Sequence, residues 1–353
     1  IELINALPEE LYNITLVLLD SDNEYDYRLK KNVNIVQLTF NSSFAKSLVS
    51  MYAFPAKVLK KLSVNSFIPY YDFISNCVTN VFEKTYDIAI DFYGYGSFVT
   101  AFLATKIQAK KKATWLHDEK PYWMKSVQKY LCEYDKIYGV SQAVVDAFCR
   151  EYPHYKDKAA VFYNVIDIEE IKRKSEQDEI IPFKESFNIV TVGRLTEQKG
   201  YDIAIKAASI LKKRKINFAW YAIGGGRDEK KLKKLVEKYC LENQFVFLGR
   251  KKNPYPYMKH CDLYVQPSRH EGYVITLVEA RALCLPILSS DIPSAREQIQ
   301  DGINGYVAEL SAEDLADKIE YLYNNPSQRK KTVEYLKEHP IDFSTELLKL
   351  EII

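Results

Sequence analysis

Two glutamates, Glu271 and Glu279, frame the segment Ser268-Arg269-His270-Glu271-Gly272-Tyr273-Val274-Ile275-Thr276-Leu277-Val278-Glu279-Ala280. A carboxylate accepts hydrogen bonds from hydroxyl groups. Eight helical residues rise about 12 Å, so the two acids sit too far apart to share a proton. They suit opposite ends of one extended polyhydroxyl ligand, such as a ribose at one end and a hexose at the other. An acid favoured by a helix dipole plus an unrelated surface acid would give the same spacing. A second group is Gly193-Arg194-Leu195-Thr196-Glu197-Gln198-Lys199-Gly200. It follows a strand-like run and precedes a helix-like one. Gly193 allows close backbone approach or a positive φ. Arg194 and Lys199 bring two cations to the strand end, where a helix amino terminus adds partial positive charge, and a diphosphate fits that combination. A solvated loop with surface cations is the competing reading. Gly224-Gly225-Gly226 again follows a strand-like run, and Gly225 could admit a ligand to the backbone, or the run could be a turn. His117, in Trp115-Leu116-His117-Asp118-Glu119, sits where a strand should end. It can donate to a sugar hydroxyl or serve structure alone.

The elements that must hold these residues are short β-branched runs alternating with longer amphipathic ones, the pattern of α/β units around parallel sheets. Strands are expected at 14–19, 33–38, 86–92, 113–117, 136–140 and 159–164, with helices at 97–109 and 142–150, the latter capped by Ser141. The polar stretch 169–185 reads as an interdomain connection. Beyond it, strands are expected at 188–193, 218–223, 245–248, 263–266, 286–289 and 306–308. Helices are expected at 201–214, 228–240, 271–283, 293–300 and 312–323, and a last one at 343–352 that could pack back on the first domain. The domains are therefore 1–168 and 186–340, with 341–353 a terminal helix. In such folds ligands lie outside the carboxyl ends of the strands.

A chain of 353 residues with 47% hydrophobic content can build two cores. Its 49 basic and 47 acidic residues leave a net charge of only +2, which argues against a general nucleic-acid binder. The six cysteines form no CxxC and stand at no metal-ligand spacing with histidine, so they read as scattered small buried hydrophobes. No acidic cluster or DxD marks a metal site, and none is expected. No run is long enough for a membrane span. These features make a cytoplasmic protein the expectation. The opening Asn5-Ala6-Leu7-Pro8 reads as the end of a helix, as though an upstream segment were missing. The basic, aromatic stretch Met51–Lys61, Phe67-Ile68-Pro69-Tyr70-Tyr71 and Lys110-Lys111-Lys112 suits an anionic membrane surface, or equally a solvated helix beside an aromatic core segment.

Taken together, 193–307 resembles the retaining glycosyltransferases of family GT4. The likeness is carried by Glu271-x7-Glu279, by Gly193-Arg194-Leu-x3-Lys199-Gly200, by Ser289-Ser290-Asp291 and by Glu297-x4-Gly302-x-Asn304-Gly305, in the family's order. It covers most of the second domain. The resemblance implies the GT-B fold, two Rossmann-like domains with parallel sheets facing across a cleft. It implies that Glu279 holds the nucleotide ribose, Glu271 the transferred sugar, and Arg194 and Lys199 the diphosphate. Backbone amides of Tyr273, Val274, Ile275 and Thr276 would lie near the distal phosphate and sugar, and His117 would contact a sugar hydroxyl. Val274 and Cys284 stand where the family commonly has glycine, and Ile292-Pro293-Ser294 replaces a glycine-rich segment. These departures bear on sugar identity more than on fold.

The expected reaction is transfer of a hexose with retention from a nucleoside-diphosphate sugar, a UDP-sugar by preference, without metal or other cofactor. Arg194, Lys199 and neighbouring amides would neutralise the departing diphosphate. The acceptor would be a glycan or lipid-linked glycan of cell-surface polysaccharide synthesis, met by a cytoplasmic enzyme peripheral to the inner face of the membrane. A non-catalytic sugar-nucleotide-binding module would keep Arg194 and Lys199 without turning over donor. A sugar-nucleotide epimerase of the same fold would need no acceptor.

Overall fold

The computed structural model of the protein describes residues 1–18, 29–43, 68–78, 82, 84–94, 98–177 and 183–350. They form two compact units, Ile1–Ile166 with Phe343–Ile353, and Asp167–Asp342.

The first unit opens with helix α1 (Glu2–Ala6) and a parallel pair, β1 (Thr15–Leu18) and β2 (Asn34–Gln37). After helix α2 (Ile68–Cys77), strand β3 (Tyr86–Asp91), helix α3 (Phe98–Lys106), strand β4 (Ala109–Leu116), strand β5 (Lys136–Gly139), helix α4 (Gln142–Glu151) and strand β6 (Ala159–Val161) follow. Strands β3 to β6 form a parallel sheet in sequence order. Ser141 caps α4, its Oγ accepting from the Val144 amide at 3.2 Å. Strand β4 changes character along its length: Lys110 and Lys111 are exposed at its start, whereas Ala113 to Leu116 are buried. At the buried end Trp115, Tyr138 and Phe162 pack with ring centroids 4.8–5.3 Å apart. The lysines of β4 have partners along the sheet. Lys110 pairs with Asp87, Lys111 with Asp135, and Lys112 donates to the Ala104 carbonyl. Met51–Lys61 and Phe67 lie outside the described residues.

The second unit runs α5 (Ile168–Ser175), β7 (Phe187–Val192), α6 (Tyr201–Lys213), β8 (Phe218–Ile223), α7 (Glu229–Lys238) and β9 (Phe245–Gly249). It continues through α8 (Tyr255–Lys259), β10 (Leu263–Gln266), α9 (Ile275–Ala282), β11 (Ile287–Ser290), α10 (Pro293–Arg296), β12 (Tyr306–Ala308), α11 (Ala312–Asn324) and α12 (Pro326–Glu338). All six strands are parallel, in the order β12-β11-β10-β7-β8-β9. The order reverses between β7 and β10, so the loops leaving these two strands diverge to opposite faces and open a crevice. The strands read as continuous apolar runs because both faces are covered. Ile189, Trp220, Val265 and Leu288 belong to one core, and Val190, Tyr221, Tyr264 and Ile287 to the other. Trp220 is fully buried, and its indole N–H donates to Thr191 Oγ1 at 3.0 Å, as a buried indole requires.

Helix α13 (Ser344–Leu348) returns to the first unit. Buried Glu346 accepts from the Tyr163 amide at 2.9 Å and pairs with Lys349, and Tyr138 donates to the Lys349 carbonyl.

Three sequence expectations change. The supposed connection 169–185 contains α5. Asp167 caps it, accepting from the Glu170 amide at 2.8 Å, Ile171 is buried, and Glu169–Lys172 and Glu170–Arg173 pair along its surface. The helix expected from 271 begins only at Ile275, leaving Glu271 in a loop. Cys132 and Cys240 are exposed, so burial does not account for all six free cysteines.

Candidate active site

The crevice between β7 and β10 is built largely from backbone. The loop leaving β7 crosses to α6 through Gly200, whose φ of +67° is a left-handed conformation. A Cβ there would lie 1.8 Å from the Pro267 carbonyl, so only glycine lets the loops after β7 and β10 meet this closely. Gly193 does not use a positive φ. A Cβ on it would meet only the Lys199 side chain, at 3.4 Å, so its lack of a side chain leaves room rather than relieving strain. The Gly224-Gly226 run is spent partly on loop packing. A Cβ on Gly224 would lie 1.9 Å from the Gly193 carbonyl and one on Gly226 2.4 Å from that of Leu195, while the Gly225 carbonyl accepts from the Leu195 amide. Gly225 itself lies under the Arg250 guanidinium, a cation at the end of β9 that the sequence reading passed over.

Lys199 curls back across Gly193 and reaches Glu271, Nζ to Oε1 2.6 Å, with both side chains almost withdrawn from solvent. Glu271 is held from behind by a directed relay. Tyr264 and Thr276 donate to Gln266 Oε1, Gln266 donates to Ser268 Oγ, and Ser268 donates to Glu271 Oε1, each at 2.7–2.8 Å. Ser294 fixes the backbone by donating to the Glu271 carbonyl at 2.8 Å. Ser268 and Lys199 both engage Oε1, so Oε2 is the oxygen without a hydrogen-bond partner among the described residues. This relay explains why α9 starts late: the backbone at 271 is committed to Ser294 before a helical turn can form.

Glu279 lies on α9, its carboxyl enclosed by protein. Burial pushes its pKa up to about 7, against the hydrogen bond from Tyr255 and the charge of Lys199, both of which favour the ionised form. Tyr255 donates to Oε1 at 3.0 Å. Lys199 thus acts on both acids of the pair. Arg194 is exposed, and its side chain has no hydrogen bond or ion pair with the described residues. Arg269, two residues before Glu271, is engaged bidentately by Asp202 at 2.7 and 2.8 Å, which lowers the Asp202 pKa and makes Arg269 a structural cation. Of the stretch 273–276, Val274 is buried at the start of α9, Ile275 is exposed, and the Thr276 hydroxyl is committed to Gln266. The helix opens its positive end there.

His117 belongs to the first unit, just past β4. Its Nε2 donates to the Phe92 carbonyl at 2.7 Å, and burial lowers its pKa, keeping the ring neutral at pH 7. The donor expected to serve a sugar hydroxyl is therefore used on the chain's own backbone. Beside it stands Asp91, fully buried, which accepts from Thr100, Thr114 and the Gly94 amide at 2.6–3.1 Å. Sequence reading missed this aspartate, although Asp91-Phe92-Tyr93-Gly94 at a strand end was the available signal. Among the described residues no group of three or more His, Cys, Asp or Glu is placed to hold a metal ion, and no helix is long and apolar enough to cross a membrane.

Residues 172–339 match the model of the family described as glycosyl transferases group 1. An uncharacterized glycosyltransferase of Methanocaldococcus jannaschii is 33% identical over 48% of this chain and 40% of its own length. The N-acetylgalactosamine-N,N'-diacetylbacillosaminyl-diphospho-undecaprenol 4-alpha-N-acetylgalactosaminyltransferase of Campylobacter jejuni is 30% identical over 49% of each chain. The matched segments thus span about half of these relatives. In structure, Anabaena Alr3699/HepE in complex with UDP and glucose superposes with a TM-score of 0.70 at 17% identity, over 96% of this chain and 90% of that one. The two parallel α/β units have the GT-B fold.

Proposed function

We propose that the protein, whose residues 172–339 match the group 1 glycosyl transferases, transfers a sugar from a nucleoside-diphosphate sugar, a UDP-sugar by preference, to a glycan or lipid-linked glycan acceptor, with retention at the anomeric carbon. The observation that carries this reading is the Lys199–Glu271 pair at 2.6 Å, set at the strand-order reversal over a glycine that leaves space for a ligand. A cation neutralised by a carboxylate is poised for exchange. A diphosphate can take over Lys199, and the sugar hydroxyls can take over Glu271, each donating where the lysine did. Lys199 and Arg194 then stabilise charge that grows on the diphosphate as the glycosidic bond breaks. The opening of α9 at Val274 and Thr276 adds amides to the same end. Glu279 accepts from the ribose. Glu271 positions the sugar rather than attacking it: Ser268 and Lys199 hold one of its oxygens, an arrangement that suits an acceptor of hydroxyl donors.

The acceptor class rests on the Campylobacter relative, named for transfer to a diphospho-undecaprenol-linked glycan, and a cell-surface glycan product follows from that class. No observation favours a non-catalytic module. The test is Arg194→Ala. Because Arg194 has no structural partner, its loss should leave the fold intact and lower turnover about 100-fold while changing nucleotide affinity only a few-fold. Equal losses in both would show that Arg194 binds ground state and transition state alike and would contradict the assigned role.

A further inference from the structure

Resting on the reading that Glu279 receives the nucleotide ribose, we propose that Tyr255 is the positioning residue of the nucleotide site, its hydroxyl holding Oε1 of Glu279 and keeping that carboxyl an acceptor for the ribose hydroxyls.

The geometry starts at a short helix that nothing in the sequence motif includes. Tyr255 is the first residue of α8, and its phenol donates to Glu279 Oε1 at 3.0 Å. No other hydrogen bond ties the Glu279 side chain to the described residues. The tyrosine is not free to drift. Asn253 Oδ1 accepts from the Tyr255 amide at 3.2 Å, while Asn253 Nδ2 donates to the Lys174 carbonyl at 2.8 Å and to Gln177 Oε1 at 2.9 Å. Lys259, at the far end of α8, pairs with Glu176 at 2.5 Å. Both ends of α8 are therefore tied to the carboxyl end of α5, and Tyr257 and Met258 between them are buried.

The charged and titratable groups acting on Glu279 are few. Lys199 from the loop after β7 favours the carboxylate, as does Tyr255 from α8, and the buried phenol of Tyr264 on β10 lies within its field. None of the charges on α5, which packs against α9, is among the groups acting on this carboxyl. Against Lys199 and Tyr255 stands the burial of the carboxyl. Of the two groups that favour the carboxylate, Lys199 is the one a diphosphate would engage, so Tyr255 is the donor whose role is to hold Glu279.

A ribose hydroxyl donates to a carboxylate far better than to a carboxylic acid, whose proton competes for the same oxygen. Removing the phenol hydroxyl takes away a hydrogen bond that the ionised form accepts more strongly than the neutral acid does. Tyr255→Phe should therefore move the pH midpoint of nucleotide binding upward by about one unit. That shift corresponds to about fivefold weaker binding at pH 7 and to convergence with wild type above pH 9.

The experiment is calorimetric titration of the full chain with UDP, and with GDP or ADP if either binds more tightly, from pH 5.5 to 9.5. Wild type, Tyr255→Phe, Glu279→Gln and the double variant are compared, together with the carboxyl carbon titration of Glu279 by NMR in the free proteins. The expected result is an upward shift for Tyr255→Phe in both readouts. Glu279→Gln should bind weakly and without pH dependence in this range, and adding Tyr255→Phe to it should cost nothing more. A Tyr255→Phe loss that is equal at every pH, or an unshifted carboxyl titration, overturns the positioning role while leaving Glu279 as the ribose acceptor. Unaltered binding by Glu279→Gln, or binding of none of the three nucleotides, overturns the ribose reading and this inference with it.

Discussion

At the residue scale the account turns on two acids in different surroundings. Glu271 is paired with an ammonium and accepts from a hydroxyl, and breaking a pair this buried removes half of those partners. Lys199→Ala should therefore cost about 3 kcal/mol of stability in thermal denaturation and reduce turnover at least about 100-fold. A variant that keeps its turnover would remove Lys199 from the chemistry. Glu279 behaves in the opposite sense. Its folded pKa, about 7, lies above the ordinary glutamate value of 4.5, so the native state binds the extra proton between those values. Its contribution to stability is consequently fullest at low pH and is lost as pH rises through 7. Glu279→Gln, which stays neutral and can still accept from Tyr255, should melt above wild type at pH 8 and converge with it near pH 5. A gap independent of pH would mean that the carboxyl does not titrate in this range. Both acids were legible as a spaced pair whose roles the resemblance divided, but the groups that hold them were not, because Ser268, Gln266 and Tyr255 are residue types that carry no distinctive signal.

At the element scale the loops after β7, β8 and β10 fit together because particular glycines stand where backbone meets backbone. Gly200 and Gly193 separate two uses of that residue. Gly200→Ala forces both a left-handed φ and a 1.8 Å clash with the Pro267 carbonyl, and should lower stability by several kcal/mol. Gly193→Ala meets only the flexible Lys199 side chain at 3.4 Å, and should melt near wild type while weakening nucleotide-diphosphate binding. Denaturation and calorimetry of the two variants check the contrast. Helices α6, α7 and α11 and the buried strands of the second unit were readable from hydrophobic pattern, whereas α12, which buries only Thr332 and Leu336, shows too little apolar pattern to stand out. Helices α5 and α8 escaped because eight and five residues are too few for a 3.6-residue period to stand out, and α8 opens with a Pro-Tyr-Pro run that reads as a turn. The late start of α9 was hidden because it follows from Ser294, a residue distant in sequence.

At the scale of the whole molecule, the chain leaves its first unit at Ile166, completes the second, and re-enters the first at Phe343. Glu346 and Lys349 then close over β5 and β6 through Tyr163, Tyr138 and the Val161 carbonyl. Removing the residues after Asp342 should strip hydrogen-exchange protection from β5 and β6 and leave α6, β7 and β8 unchanged. Equal loss in both units would show that the terminal helix supports the chain as a whole. The two-unit α/β architecture was legible because the strand–helix alternation restarts at 187 after a polar stretch. The pairing of Lys110 and Lys111 was not legible, since their acidic partners Asp87 and Asp135 are neighbours only once the sheet has formed.

The central claim is donor turnover at the Lys199–Glu271 crevice. The most direct test incubates the full chain with UDP-, GDP- and ADP-sugars, with and without lipid-extract acceptors. It follows released nucleoside diphosphate and the anomeric configuration of the product by NMR, for wild type and Lys199→Ala. The account predicts release from one donor class, stimulation by acceptor, an anomer matching that of the donor, and loss of all three in Lys199→Ala. Nucleotide binding without release from any donor, by a protein shown to be folded, would contradict it and identify the chain as a sugar-nucleotide-binding module.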